Sequence, residues 1–233
     1  MPCTRGTLDR CMTPRMTARA VAASCASPRL GWPCWSRSLS GRLRARLVGT
    51  RGACGPFTIG CQAAALTHGH PSGYLAAGAL ALMISELGHG RDLHGAAASA
   101  IRRLQETHGA EQVITALSTA VQAAEAGPLS ADALATLGQG WVAEEALAIA
   151  THCALTATDF RSGVLHAANH SGDSDSTSAI CGNLLGTSLG VDAIDRDLLA
   201  GLEGREVITQ VADDLYDVFA DGRQPPAARY PRV

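Results

Sequence analysis

Apolar residues recur at helical spacing along most of the chain after about Pro56. The clearest case is 74–87, where one helical face carries Leu75, Ala79, Leu82 and Met83. The same pattern predicts further helices at about 59–66, 92–108, 111–125, 140–158, 159–168, 179–189, 195–202 and 205–219, and a short helical turn at 130–137. The pattern therefore indicates a helical domain over 55–222.

The segments on either side of this domain have a different character. Prolines interrupt 1–54, and no helical or strand period persists there, which predicts an irregular or disordered segment. Its Arg-rich, Ser-rich and acid-poor composition suits a transit peptide, although the prolines and the lack of an amphipathic helix count against one. At the other end, Pro225, Pro226 and Pro231 predict a flexible tail over 223–233.

Composition adds bounds to this picture. The 233 residues include 46% apolar residues and few aromatic ones, enough for one core built largely from Ala, Leu, Val and Ile. The formal net charge of -2 gives no reason to expect nucleic acid or an anionic membrane as a partner. Every basic side chain is Arg, and ten of them fall between Arg5 and Arg51, where Asp9 is the only acid.

The cysteines do not form a zinc motif. Five lie in 1–54 at irregular spacings without a C-x-x-C pair, while Cys61, Cys153 and Cys181 lie in apolar helical patterns and are most simply small buried residues. A reducing compartment follows as the default. No apolar run reaches the length of a membrane span and no secretory signal is evident, so we expect a cytoplasmic protein.

The segment 170–179 contains the strongest candidate for chemistry. Asp173 and Asp175 are two residues apart and Ser176 follows, an oxygen-only set that suits Mg²⁺. Gly172 permits an unusual turn, and the acids then lie where the dipole of the next helix favours negative charge. The alternative is an ordinary helix N-terminus with acidic residues in its first turn.

The longer string 167–180, with 182–186 behind it, closely resembles the C-terminal metal motif of the ADP-ribosylglycohydrolase family. The resemblance implies an all-α hydrolase, a compact orthogonal multi-helix bundle with a pair of Mg²⁺ ions. Asp173, Asp175 and Ser176 match the family's C-terminal metal ligands, with Ser176 where Thr is more usual. The two aspartates are accordingly the candidate catalytic residues.

Two histidines lie between the first two predicted helices. An H-x-H on such a turn, His68 and His70 here, is more often a pair of capping and hydrogen-bonding residues than a zinc site. The surrounding segment 66–74 resembles the family's ADP-ribose contact segment. This implies substrate contacts from His68, Ser72, Gly73 and Tyr74.

A glycine-rich turn, Gly138 to Trp141, precedes the sixth helix. Its glycines would let the backbone approach a ligand, whereas Trp141 could simply anchor the helix in the core. The segment resembles the family's glycine turn beside the bound ribose, which implies substrate contacts from Gln139, Gly140 and Trp141. Glu144 and Glu145 are expected to be first-turn acids and not catalysts.

The resemblance also offers an explanation for the irregular front segment. Back-translating 15–30 with suitable codons and starting at the third base yields Asp-Asp-Ser-Lys-Gly-Cys-Gly-Gly-Val-Met-Arg-Val-Ala-Pro-Val. This peptide is very like a substrate-loop motif of the same family at the same place in the order of elements. We therefore expect residues up to about Cys54 to be an out-of-frame translation.

The expected activity is Mg²⁺-dependent hydrolysis of the glycosidic bond between ADP-ribose and a modified side chain or small acceptor, by a monomer. The family's remaining metal ligands come from a Thr-Asp-Asp segment, and Asp9 is the only acid before Glu86. An inactive fragment or an ADP-ribose-binding module is therefore the alternative. A generic helical interaction protein would bind no ADP-ribose at all.

Overall fold

The computed structural model describes residues 55–126, 130–218, 222–226 and 228–230. Its secondary structure in these ranges is helical, with helices α1 (Pro56–Ala65), α2 (Pro71–Gly88), α3 (Leu93–Gln105), α4 (Glu111–Ala126), α5 (Ala131–Leu137), α6 (Ala143–Thr156), α7 (Phe160–Ala168), α8 (Ser174–Leu189), α9 (Arg196–Ala200) and α10 (Arg205–Tyr216), and a 3₁₀ turn at Val191–Ala193 before α9. The all-α prediction is thus confirmed. The predicted transit or out-of-frame segment, 1–54, lies outside the described residues.

Two helices form the centre of the domain because they are buried on every side. In α6 every residue from Ala146 to Ala154 is buried, and α2 buries residues around its whole circumference. A helix of this kind has no polar face to turn to solvent and must be surrounded by others. The main neighbours of α6 are α2, α4, α7 and α8, so the helix that carries the aspartate motif packs directly on the core.

Small residues let α1 and α2 cross closely. A Cβ atom at Gly60 would lie 2.8 Å from the Ala77 carbonyl oxygen, and one at Gly78 would lie 2.3 Å from the Cys61 sulfur. Neither helix has room for a side chain at these positions. The α1–α2 contact therefore depends on glycine for space and not for backbone freedom.

Local hydrogen bonds define several helix starts. Asp92, Ser130 and Asp159 each accept a hydrogen bond from a first-turn N–H, and Asp159 with Ser162 forms a reciprocal capping box. Helix α2 begins at Pro71 and not near Tyr74 as predicted, because proline fits the first helical turn and His70 caps it. Helix α8 begins at Ser174, five residues before the predicted start, so the aspartate motif lies within its first turn.

The cysteines and the last helix follow the sequence predictions only in part. Cys153 and Cys181 are buried as predicted, whereas Cys61 is only partly buried. Burial raises the pKa of the Cys153 thiol to about 12 and that of Cys61 to about 11. Apolar spacing predicts the helix over 205–219, but Val207 near the start of α10 is 67% exposed. In the described residues no helix combines the length and apolar character needed to cross a membrane.

The expected flexibility of 223–233 stays a prediction, but part of this tail makes specific contacts. Arg229 and Tyr230 both donate hydrogen bonds to the carboxylate of Asp214 on α10. The Arg229 guanidinium, with help from Tyr230, holds the pKa of the Asp214 carboxyl below its usual range. The tail is therefore tied to the last helix through one carboxylate.

The crossing of α1 over α2 gives a stability prediction. Replacing Gly60 with Ala should lower the free energy of unfolding by about 1–3 kcal/mol, because the added methyl meets the rigid Ala77 carbonyl. Gly69→Ala is the control, since no atom lies within 4 Å of a Cβ there, and it should change stability by less than about 0.5 kcal/mol. Urea denaturation measures both, and equal stabilities would refute the close crossing.

Candidate metal centre

The aspartate motif forms the start of α8. Asp173 occupies the N-cap position, and Asp175 and Ser176 lie in the first turn. Asp173 and Ser176 are buried while Asp175 is exposed, so the cluster opens to solvent on the Asp175 side. Asp173 makes no side-chain capping hydrogen bond of normal geometry, although the Ser176 N–H of the first turn lies near its carboxyl group.

The two carboxyl groups interact with each other. Burial raises the pKa of the Asp173 carboxyl, and the hydrogen bond and the negative charge of Asp175 raise it further, while the nearby hydroxyl and N–H of Ser176 lower it. A divalent cation between the carboxylates would remove this repulsion. The Ser176 Oγ atom is buried without a hydrogen bond of normal geometry, which leaves its lone pairs available. Two carboxylates and a hydroxyl therefore fit a small hard cation.

The glycine turn before α6 packs directly on this cluster. The Asp173 N–H donates to the Gln139 carbonyl oxygen at 2.8 Å. A Cβ atom at Gly172 would lie 1.8 Å from that same oxygen, so only glycine permits the contact. On the side of the glycine turn, a Cβ at Gly140 would meet Thr177 Cγ2 at 3.0 Å and Asp173 Cβ at 3.7 Å. The structure thus brings together two segments about 30 residues apart that the sequence analysis singled out separately.

Glu145 fixes the shape of the glycine turn. Its Oε2 atom accepts hydrogen bonds from the N–H groups of Gln139, at 3.0 Å, and Gly140, at 3.1 Å. Gly138 and Gly140 both have positive φ, and a Cβ at Gly138 would lie 2.4 Å from the Glu145 carboxyl carbon. The expectation that Glu145 is only a first-turn acid missed this positioning role. An acid five residues after the second glycine was the available signal.

Trp141 does not anchor the core. The side chain is 52% exposed, and its Nε1–H donates to Gln139 Oε1 at 3.1 Å. The alternative that Trp141 only secures the start of α6 is therefore wrong. Gln139 is also exposed, so two of the three predicted ribose-contact side chains reach solvent beside the aspartate cluster.

The second predicted contact segment forms the start of α2. His70 caps the helix by accepting from the Ser72 N–H, and its Nδ1 lies 2.9 Å from Ser72 Oγ, which confirms the capping interpretation for this histidine. His68 Nδ1 lies 2.8 Å from Thr67 Oγ1. A Cβ at Gly73 would meet His68 Cβ at 3.2 Å, and Tyr74 packs against the core. This segment lies beside the turn between α3 and α4, where Pro71 approaches Gly109.

His170 and Thr177 flank the cluster and were not assigned a role from the sequence. The His170 ring contacts Thr177 Oγ1 and the Gly172 N–H. Burial holds the pKa of His170 below its usual value, and the negative charge of Asp173 only partly offsets this effect. Within the described residues no group of three or more Asp, Glu, His or Cys side chains is placed to hold a metal, so the donor set here is two carboxylates and one hydroxyl.

Comparison with known protein families identifies the family of this chain. The model of the ADP-ribosylglycohydrolase family matches residues 12–225, and the chain therefore belongs to that family. The matched range includes most of the segment that the frame hypothesis sets aside, and that hypothesis stays a prediction. No curated protein matches the chain.

The contact at Gly172 gives a sharp prediction. Gly172→Ala should separate the aspartate loop from the glycine turn, because a methyl cannot lie 1.8 Å from the Gln139 oxygen. We expect a loss of about 2 kcal/mol or more of unfolding free energy, the order seen when overpacking also shifts the backbone.

Gly182→Ala on α8 is the matched control, since a Cβ there meets Val164 at an ordinary 3.7 Å. It should be neutral or slightly stabilising, because alanine favours a helix interior over glycine. Thermal unfolding of the two variants gives the comparison, and a Gly172→Ala protein as stable as Gly182→Ala would contradict the described contact.

Proposed function

We propose that this chain carries the C-terminal half of the Mg²⁺ site of an ADP-ribosyl glycohydrolase. The reaction is hydrolysis of the glycosidic bond at the anomeric carbon of ADP-ribose, which frees ADP-ribose from a modified protein side chain or small molecule. The observation that carries this proposal is the packing of the glycine turn on the aspartate cluster, in a chain of this family.

Asp173, Asp175 and Ser176 are the residues that would hold Mg²⁺. The repulsion between the two carboxylates and the buried hydroxyl of Ser176 support this assignment. The ion would orient ribose hydroxyls, activate a water and stabilise developing charge. Mg²⁺ usually retains several waters and is held by one or two carboxylates, so this partial set is sufficient for weak binding of one ion.

The substrate contacts are proposed for two regions. Gln139, Gly140 and Trp141 would lie along the ribose, and the exposed indole next to the cluster supports this role. The segment with His68, Ser72, Gly73 and Tyr74 would contact the phosphates or ribose. Glu145 would act as a positioning residue, since it holds the two N–H groups of the turn.

A second candidate function is ADP-ribose binding without turnover. The sequence before Glu86 contains Asp9 as its only acid, whereas the family resemblance requires a Thr-Asp-Asp segment for the other metal ligands. A poorly placed water and a loosely held ribose lose the orientation on which the rate depends, and a displacement of about 1 Å can cost about 10²-fold. For the chain as given we therefore expect binding of Mg²⁺ and no measurable turnover. The cytoplasmic location and monomeric state also stay predictions.

The test combines a metal titration with an activity assay. Calorimetric titration with Mg²⁺ should give weak binding, on the order of millimolar Kd, for the wild-type chain, and Asp175→Ala should abolish it because one of two carboxylates is lost. Asp192→Ala, an exposed acid after α8, is the control and should bind as the wild type does. Binding that is equal in all three proteins would rule out the assigned ligands.

Turnover of an ADP-ribosylated arginine peptide, followed as released ADP-ribose, separates the two candidates. No release by the wild-type chain, with recovery after a Thr-Asp-Asp segment is restored upstream, is the expected result. Robust Mg²⁺-dependent release that Asp175→Ala abolishes would show that the site is complete without that segment.

A further inference from the structure

The ring of His170 is held at both nitrogens. Its Nδ1 lies 3.1 Å from the Gly172 nitrogen, and a backbone N–H can only donate, so Nδ1 is the acceptor. Its Nε2 lies 2.8 Å from Thr177 Oγ1. In a neutral ring with Nδ1 accepting, Nε2 carries the proton and donates to the Thr177 hydroxyl.

Thr177 passes the chain of hydrogen bonds on to the backbone. Its hydroxyl oxygen lies 2.7 Å from the Ala167 carbonyl oxygen and 3.0 Å from that of Asp173. The hydroxyl has one proton, which these two carbonyl oxygens share as acceptors. Ala167 lies in the last turn of α7 and Thr177 at the end of the first turn of α8. The network therefore ties together the two helices and the loop between them.

Thr177 is also the residue on which the glycine turn packs. It is fully buried, and its Cγ2 methyl faces Gly140. The two groups of the Thr177 side chain thus have different contacts. The hydroxyl forms hydrogen bonds within the aspartate loop, and the methyl packs against the glycine turn. This separation makes the two roles distinguishable by substitution.

We propose that His170 and Thr177 are positioning residues for the metal ligands: the Gly172–His170–Thr177–Ala167 network fixes the loop so that Asp173, Asp175 and Ser176 face one point. The inference rests on the proposed Mg²⁺ site. Neither residue is itself a ligand. Groups that orient metal ligands in this way typically contribute 10–100-fold to metal affinity.

The first experiment needs no metal. In ¹⁵N-histidine-labelled wild-type chain, long-range ¹H–¹⁵N spectra should show His170 as the neutral Nε2–H tautomer, and the Gly172 amide proton should exchange slowly. His170→Ala and Thr177→Val should speed Gly172 exchange at least tenfold, while His166→Ala, an exposed histidine on α7, should not. An Nδ1–H tautomer, or unchanged exchange in both variants, would overturn the network.

The second experiment separates positioning from packing. Thr177→Val keeps the shape of the side chain and loses the hydroxyl, whereas Thr177→Ser keeps the hydroxyl and loses the methyl. Mn²⁺ affinity, measured from the electron paramagnetic resonance signal of the free ion, should fall at least tenfold in Thr177→Val and in His170→Ala. It should stay within threefold of wild type in Thr177→Ser and His166→Ala, even if Thr177→Ser melts at a lower temperature. Affinity that follows melting temperature instead would assign Thr177 a purely structural role and overturn the inference.

Asp175→Ala keeps the two failures apart. If it loses Mn²⁺ while His170→Ala and Thr177→Val bind as the wild type does, the positioning inference fails and the metal site stands. If Asp175→Ala binds Mn²⁺ as tightly as the wild type, the proposed metal site fails and the positioning inference fails with it.

Discussion

The hydrogen bond from the Asp173 N–H to the Gln139 carbonyl is the contact on which the candidate site depends. It joins the loop before α8 to the turn before α6, and it forms only because Gly172 brings no side chain against that oxygen. The contact fixes Asp173 at a helix N-cap position with its carboxyl turned into the cluster. Because Asp175 and Ser176 lie in the first turn of the same helix, fixing Asp173 also fixes their positions.

The core provides the rigidity behind this contact. Helix α6 is buried along most of its length and packs on α8, so both helix starts project from the same rigid pair. Burial at this junction disfavours the charged form of Asp173 and raises the pKa of its carboxyl group. Carboxyl groups with shifted pKa values are common at functional sites. A bound cation or substrate can offset the cost of their charge. The fold thus provides a reason for the cluster to bind a cation that local sequence alone does not.

Much of the fold was predictable, because helical periodicity and capping residues report local physics directly. The predicted helix starts at residues 92 and 159 coincide with the N-caps of α3 and α7, Asp92 and Asp159. The starts of α2 and α8 were predicted too late, although Pro71 in the first turn and His70 as its cap are local signals of a helix start. The exposure of Trp141 could not be predicted either, because it depends on the path of the turn over α8.

The same limit applied to the site. Two carboxylates and a hydroxyl at one helix start could be recognised from their chemistry, and the family resemblance gave them a role. Glu145, His170 and Thr177 were missed because each acts through a hydrogen bond to a neighbouring segment, and such a bond has no periodic signature in a sequence. What the sequence could not supply was the convergence of the two segments.

Anomalous diffraction from crystals soaked in Mn²⁺ locates a bound ion without assuming its ligands. We expect one peak within about 2–2.5 Å of carboxylate oxygens of Asp173 and Asp175 and of Ser176 Oγ, at the distances typical of hard divalent cations and oxygen. A strong peak at other residues, with none at the start of α8, would contradict the proposed metal site.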